Sequence, residues 1–364
     1  MSEISYAGPS CDGVFGNRFV CLNIRECIAS DRDMLETHDP CSRNPFCIET
    51  LVPDFIPPEL PTTSSFPDAV ATADRSSRHW TSESAGALHP GTETHKRDVC
   101  RMFRETFNPY RPSVIDWPKL PAETVARLQA LPIWDIAVQT EGKARLRMAA
   151  YARLVKDPDM RSAIALNAWE ENRHKQVLSK MVQAYGIPLV SEPSYPVPRD
   201  AEWEYLLTGY SECIDSFFAF GLFEMARRSG LFPPELVETF EPVMQDECRH
   251  ILLFANWVAW HRANLPWWRR AHFEIKVLAV WMFLGWERIG MARSIDANGN
   301  ETLQDNNFTL NGSKAVSDTE INIRELIAVC LHENDRRFAG YDPRLLRPTT
   351  MPRLVRLALR LFKR

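Results

Sequence analysis

The stretches AWEENRHK at 168–175 and QDECRHIL at 245–252 decide how this chain reads. Each contains an acid, a Glu, a variable residue, an Arg and a His, as Glu170-Glu171-Asn172-Arg173-His174 and Asp246-Glu247-Cys248-Arg249-His250. On a helix, residues three apart share a face one turn apart, so Glu171 with His174, and Glu247 with His250, can each grip one metal ion. One Glu-x-x-His is ordinary on an exposed helix. Two copies with acid and Arg in matching places call for a common cause. A dinuclear site inside a helix bundle needs two such helices and one further inward Glu from each of two others.

The sequence around the two motifs supplies such helices. Apolar residues recur at three- and four-residue spacing from about Pro121 onward, with prolines confined to junctions, which is an all-α pattern. The spacing predicts a short helix near 122–131 and long ones over Trp134–Lys156, Asp159–Tyr185, Ala201–Ser229 and Pro242–Ala263. Gly230 is suited to cap the third long helix and Pro242 to open the fourth. GIPLVSEPSYPVPRD at 186–200 is too rich in proline for a helix and is expected to cross over between the second and third. A further apolar helix over Trp267–Ile295 is expected to be buried beside the bundle, followed by a polar loop and a helical region from Asp318 to the end.

The two remaining carboxylates are sought on the first and third long helices. Glu141 continues the apolar face of Trp134, Val138, Ala144 and Met148, and Glu224 continues that of Cys213, Phe217 and Phe220. A carboxylate in such a stripe is costly unless protonated, paired or metal-bound. At the helical rise, Glu141 and Glu171 lie roughly 16–22 Å from the turn joining their helices, and Glu224 and Glu247 about 8–9 Å from theirs. The predicted ligands are therefore Glu141, Glu171, His174, Glu224, Glu247 and His250. Cys248, one residue from Glu247, points about 100° away and is expected to pack.

These residues resemble the ferritin-like di-iron carboxylate superfamily. The Glu-x-Arg-His signature is similar to its oxygen-activating branch of monooxygenase hydroxylases, ribonucleotide reductase small subunits and acyl-carrier-protein desaturases. The resemblance spans about 135–263 and implies a four-helix bundle with a long crossover holding two iron ions, with manganese as the alternative metal. It implies that Glu170 and Asp246 orient the imidazole N–H of the opposite His, and that Arg173 and Arg249 hold those carboxylates. The activity implied is dioxygen activation to hydroxylate, desaturate or N-oxygenate an apolar organic substrate. Val243 stands one turn before Glu247, where arylamine N-oxygenases of the superfamily carry an additional histidine. The alternatives are an iron-handling or peroxide-scavenging protein, and a non-enzymatic helical protein with a vestigial site.

The rest of the chain sets limits. A net charge of -4 gives no broad basic field, so nucleic acid is not an expected partner. Nine cysteines without a CxxC pair make a poor disulfide framework or rubredoxin site, and no secretory signal or membrane-spanning run is evident, so a cytoplasmic protein is expected. Residues 1–100, rich in Pro, Ser and Thr, are expected to be disordered, with the bundle over 101–264 and a helical extension over 265–364. Expected partners are the apolar substrate and dioxygen, a reductase or ferredoxin as electron donor, and a second copy as a homodimer. The basic amphipathic segment 344–364 is expected to touch a membrane surface peripherally.

Overall fold

The computed structural model describes residues 52, 54–60, 67–112, 115–131, 133–190, 195–297 and 323–361. Among them the chain is helical, with one isolated bridge between Trp80 and Tyr341. The helices are α1 (Pro67–Ser77), α2 (Glu93–Glu105), α3 (Ala122–Gln129), α4 (Trp134–Ala152), α5 (Pro158–Ala184), α6 (Ala201–Ser229), α7 (Pro234–Glu238), α8 (Glu241–Asn264), α9 (Trp267–Ala297), α10 (Ile323–Phe338) and α11 (Thr350–Leu361).

The long helices begin and end where local chemistry directs. The Asp157 carboxylate accepts the Met160 N–H at 3.0 Å and Pro158 fills the first turn of α5. Asp200 accepts the Trp203 N–H at 2.9 Å to start α6, which stops at Gly230 in the left-handed conformation (φ +67°). Helix α4 packs against α5 and α6, and α8 packs against the same two, so the four close a ring. Two more helices seat against this ring. Helix α9 lies on α6 and α8, and α10 on α6, where a Cβ on Gly221 would meet Cys330 Sγ at 2.3 Å.

The boundary expected at residue 100 is corrected. The expectation of disorder for residues 1–51 lies outside the described residues, but Val52 and Phe55 are already buried. Helix α2 packs against α5 and α8, with Val99, Cys100, Met102 and Phe103 fully buried. Burial of such side chains contributes about 1.5–3 kcal/mol each, enough to hold a short helix in the core despite its polar flanks. The Thr92 hydroxyl caps it by accepting the His95 N–H. The extension also departs from expectation. Helix α9 buries only one face, through Phe273, Val277, Val280 and Leu284, while Ile275, Leu278, Met282 and Trp286 stay exposed. The final helical region divides into α10 and α11, joined by a non-helical segment in which Asp342 N–H bonds the Trp80 carbonyl. Among the described residues, no helix is long and apolar enough to cross a membrane.

Candidate metal centre

Helices α5 and α8 bring the two sequence motifs face to face. Glu171, His174, Glu247 and His250 each offer one ligand atom, all within 4.8 Å of one another, so this buried group could hold a metal ion. His250 Nδ1 lies 2.8 Å from Glu171 Oε1, and His174 Nδ1 lies 3.2 Å from Glu247 Oε1, so each imidazole approaches the carboxylate of the other helix most closely. Both Nδ1 atoms and Glu171 Oε1 are buried without a hydrogen-bond partner. Buried polar atoms are rarely left so.

The opposite edges of both rings are fully engaged. His174 Nε2 lies 3.1 Å from Asp246, and His250 Nε2 lies 3.0 Å from Glu170, so each acid meets the imidazole across the interface. With Nε2–H donating to a carboxylate, Nδ1 faces the cluster and is the atom that would offer a lone pair once a metal displaces its proton. Arg173 donates to Asp246 at 2.7 Å and Arg249 to Glu170 at 2.7 Å, all four side chains being essentially inaccessible. The chain around α2 braces this lattice. Arg249 donates to the Phe103 carbonyl and Thr106 hydroxyl, Arg173 to the Asn108 carbonyl, and the Tyr110 hydroxyl to Asp246 at 3.0 Å. The Arg173 guanidinium also stacks 3.8 Å from the Tyr110 ring centroid.

Two more carboxylates face the group. Glu141, from α4, lies 3.8 Å from His174 Nδ1 and hydrogen-bonds Glu171. Burial and the neighbouring Glu171 charge push Glu141 well above the usual carboxylate range, so it holds the shared proton. Burial alone would raise Glu171, but the nearby His250 charge brings it down to about 2. Burial would likewise lower His174, yet its bond to Asp246 and the neighbouring Glu171 and Glu247 charges raise it to about 9. The second is Glu212 of α6. Both its carboxylate oxygens are buried with no hydrogen-bond partner, and burial followed by the charges of Glu171 and Glu247 pushes it well up.

Glu224, the expected carboxylate of α6, is not brought to this group. It is clamped by Arg227 at 2.7 Å and Arg228 at 2.5 Å, twelve residues or about 18 Å along the helix from Glu212. The misplacement follows from reading residues 230–241 as a simple turn. Phe232, Leu236 and Val237 fold back onto Leu128 and Met181, so α6 overshoots the start of α8. Two signals in the sequence mark the difference. Arg at i+3 and i+4 of Glu224 is the pattern of an exposed helix ion pair, whereas Glu212 lies on a stripe with Thr208, Ser216 and Ala219 whose small side chains leave space.

That space is a cavity of about 770 Å³. Glu141, Glu171, Glu212 and Glu247 line it, together with apolar residues including Leu128, Trp134, Met181, Phe223 and Phe240. Lys143, Arg147 and Asp215 also line it. Phe217 and Phe220, on the face read beside Glu224, are core, whereas Phe223 lines this space. Cys248 packs, fully buried, with Sγ 3.5 Å from the Arg337 carbonyl, and His261 pairs with Glu202 at 3.0 Å. Comparison of the chain with family models, with curated proteins and with solved structures finds no match.

Proposed function

We propose that this chain is a di-iron oxidoreductase of the ferritin-like type, which activates dioxygen to oxidise an apolar organic molecule held in the cavity beside the carboxylates. One observation carries the reading: four carboxylates, Glu141, Glu171, Glu212 and Glu247, border one cavity beside two buried histidine Nδ1 atoms that lack a hydrogen-bond partner. Arg173 and Arg249 are matched by Asp246 and Glu170, so the outer lattice neutralises itself. In the metal-free protein, protons held by Glu141, Glu212, His174 and His250 balance this group, and two divalent cations would take their place. Glu171, His174, Glu247 and His250 would ligate, with Glu141 and Glu212 completing the set. Iron is the metal expected from the resemblance, with manganese as the alternative.

When bound, such a centre would supply the electrons that reduce dioxygen and the oxidising power turned on the substrate. The protein's own part is positional. Asp246 and Glu170 fix the imidazole tautomers, and the Arg173 and Arg249 lattice stops the carboxylates from swinging. Leu128, Trp134, Met181 and Phe240 hold an apolar molecule and keep water from it. Glu141, protonated in the metal-free protein, would surrender its proton on metal uptake. A cavity of this size directly against the carboxylates favours substrate oxidation over iron handling.

Anaerobic reconstitution with ferrous iron, followed by metal analysis and exposure to oxygen, tests this. Two irons per chain and an absorbance change on oxygenation are expected, with oxygen uptake stimulated by an apolar substrate and a reductase. One iron or none in folded protein would remove the assignment. Two irons with uptake indifferent to every apolar compound tried would return the chain to iron handling.

A further inference from the structure

Helix α9 buries one apolar face, turns Lys276 and Arg288 toward α6, and leaves a second apolar face outward. Lys276 turns toward α6 to bind Asp200 and Glu202, both at 2.8 Å, and Arg288 binds Asp215 at 2.7 Å. The outer face meanwhile exposes Ile275 at 66%, Leu278 at 60%, Met282 at 67%, Trp286 at 72% and Ile289 at 55%. With Trp267 and Trp268 at the helix start, this face leaves on the order of 1,000 Å² of apolar surface in water. That exceeds what a monomer ordinarily exposes in one patch and equals the half-share of a standard interface, about 800 Å² per partner.

The spacing indicates what covers it. Trp268, Ile275, Met282 and Ile289 recur every seven residues, and Ala271, Leu278 and Gly285 recur every seven between them, as in a helix that pairs with another helix. The sizes are self-complementary when two copies run antiparallel about a two-fold axis that crosses the outer face at the level of Val280, whose own side chain points inward. Leu278 then faces Met282 of the other copy, Ile275 faces Gly285, and Ala271 faces Ile289, each layer matching a large side chain with a smaller or similar one. In a parallel pair, the two glycines would face each other and leave a gap. We propose that the outer face of α9 is the interface of a homodimer in which this helix packs antiparallel against its copy in that register. Trp286 and Phe283 of the same helix also line the cavity beside the carboxylates, so the dimer contact borders the cavity.

The test uses the full chain with two substitutions made separately, Leu278→Glu and Met282→Lys. Wild type should sediment as a dimer at micromolar concentration, and each variant alone should be monomeric, its dimer weakened at least tenfold, with unchanged far-ultraviolet dichroism. Mixed one to one, the variants should form a heterodimer, because the register sets Glu at 278 against Lys at 282 of the other chain. A monomeric wild type would overturn the proposal, and binding of that monomer to neutral phosphatidylcholine vesicles through the same face would assign the surface to a membrane. Dimers that persist in both variants, or a mixture that stays monomeric, would overturn the antiparallel register.

Discussion

Replacing Glu212 and Glu224 in turn separates the carboxylate that faces the cluster from the one that does not. Both Glu212 oxygens are buried and unpaired, so Glu212→Ala removes a desolvation cost of about 1–3 kcal/mol from the metal-free protein. The metal-free melting temperature should rise by roughly 2–4 °C per kcal/mol recovered. Metal affinity should fall by more than the 10–100-fold that loss of an outer partner typically causes, because an inner donor is gone. Glu224→Ala removes a buried carboxylate whose partners Arg227 and Arg228 are about half exposed and can turn to solvent. Its cost is about 0.2–1 kcal/mol, with iron content unchanged. The assay is anaerobic ferrous titration with metal analysis after desalting, beside calorimetry of the metal-free proteins. Two irons retained by Glu212→Ala and lost by Glu224→Ala would refute the assignment of the fourth helix's ligand.

Asp246→Asn should weaken iron binding about 10–100-fold and destabilise the metal-free protein by about 3–5 kcal/mol, since it leaves Arg173 and Arg249 to share the single charge of Glu170 in the interior; iron titration and urea unfolding read the two effects. Glu202, which seats α9 through Lys276, is drawn down to about 2 by its bond to His261, against burial, and by Lys276. Its folded-state value is depressed, so its stabilisation is complete above the usual carboxylate range and is lost as pH falls from about 4.5 toward 2. The unfolding difference between wild type and Glu202→Gln, on the order of 2 kcal/mol at pH 6 after allowing for partial exposure, should vanish across that window. Helix α11 exposes Leu354 and Leu357 beside Arg353 and Arg360, so the full chain should sediment with anionic vesicles at low salt. Arg353→Gln with Arg360→Gln should weaken that association about fivefold per charge, and equal sedimentation of both proteins would remove the contact.

The two motifs were legible because helical spacing alone places Glu171 beside His174 and Glu247 beside His250. Local geometry needs no knowledge of the rest of the fold. The pairing of Glu170 with His250 and of Asp246 with His174 was expected from the resemblance rather than from spacing, and both pairs are present. Glu212 was not legible from counting residues to the turn. Its depth depends on how Phe232 and Leu236 pack, which is a tertiary matter. The same holds for α2. Thirteen residues of which seven are acidic or basic resemble a solvated segment until Phe103 and Met102 find the groove between α5 and α8. The outward apolar face of α9 reads in sequence as one more buried helix, because periodicity shows that a face is apolar and not what covers it.

The cluster is built with two unlike sides. On one, Phe103, Thr106, Asn108 and Tyr110 lock the Arg173 and Arg249 lattice through bonds to backbone and hydroxyl oxygens. None of these residues lines the cavity, which opens on the other side between α4, α6 and α9. The carboxylates therefore sit between a rigid polar wall and a yielding apolar space. A buried charge lattice of this kind seldom adds stability over a well-packed apolar core, so stability alone is a poor account of four interior ionic groups behind two imidazoles. Holding two Nδ1 atoms in fixed directions is a better one, because a metal site requires ligand orientation as much as ligand identity. The side that orients and the side that admits substrate can then vary separately, with α2 governing how firmly metal is held and the small-residue stripe of α6 governing which molecule lies beside it.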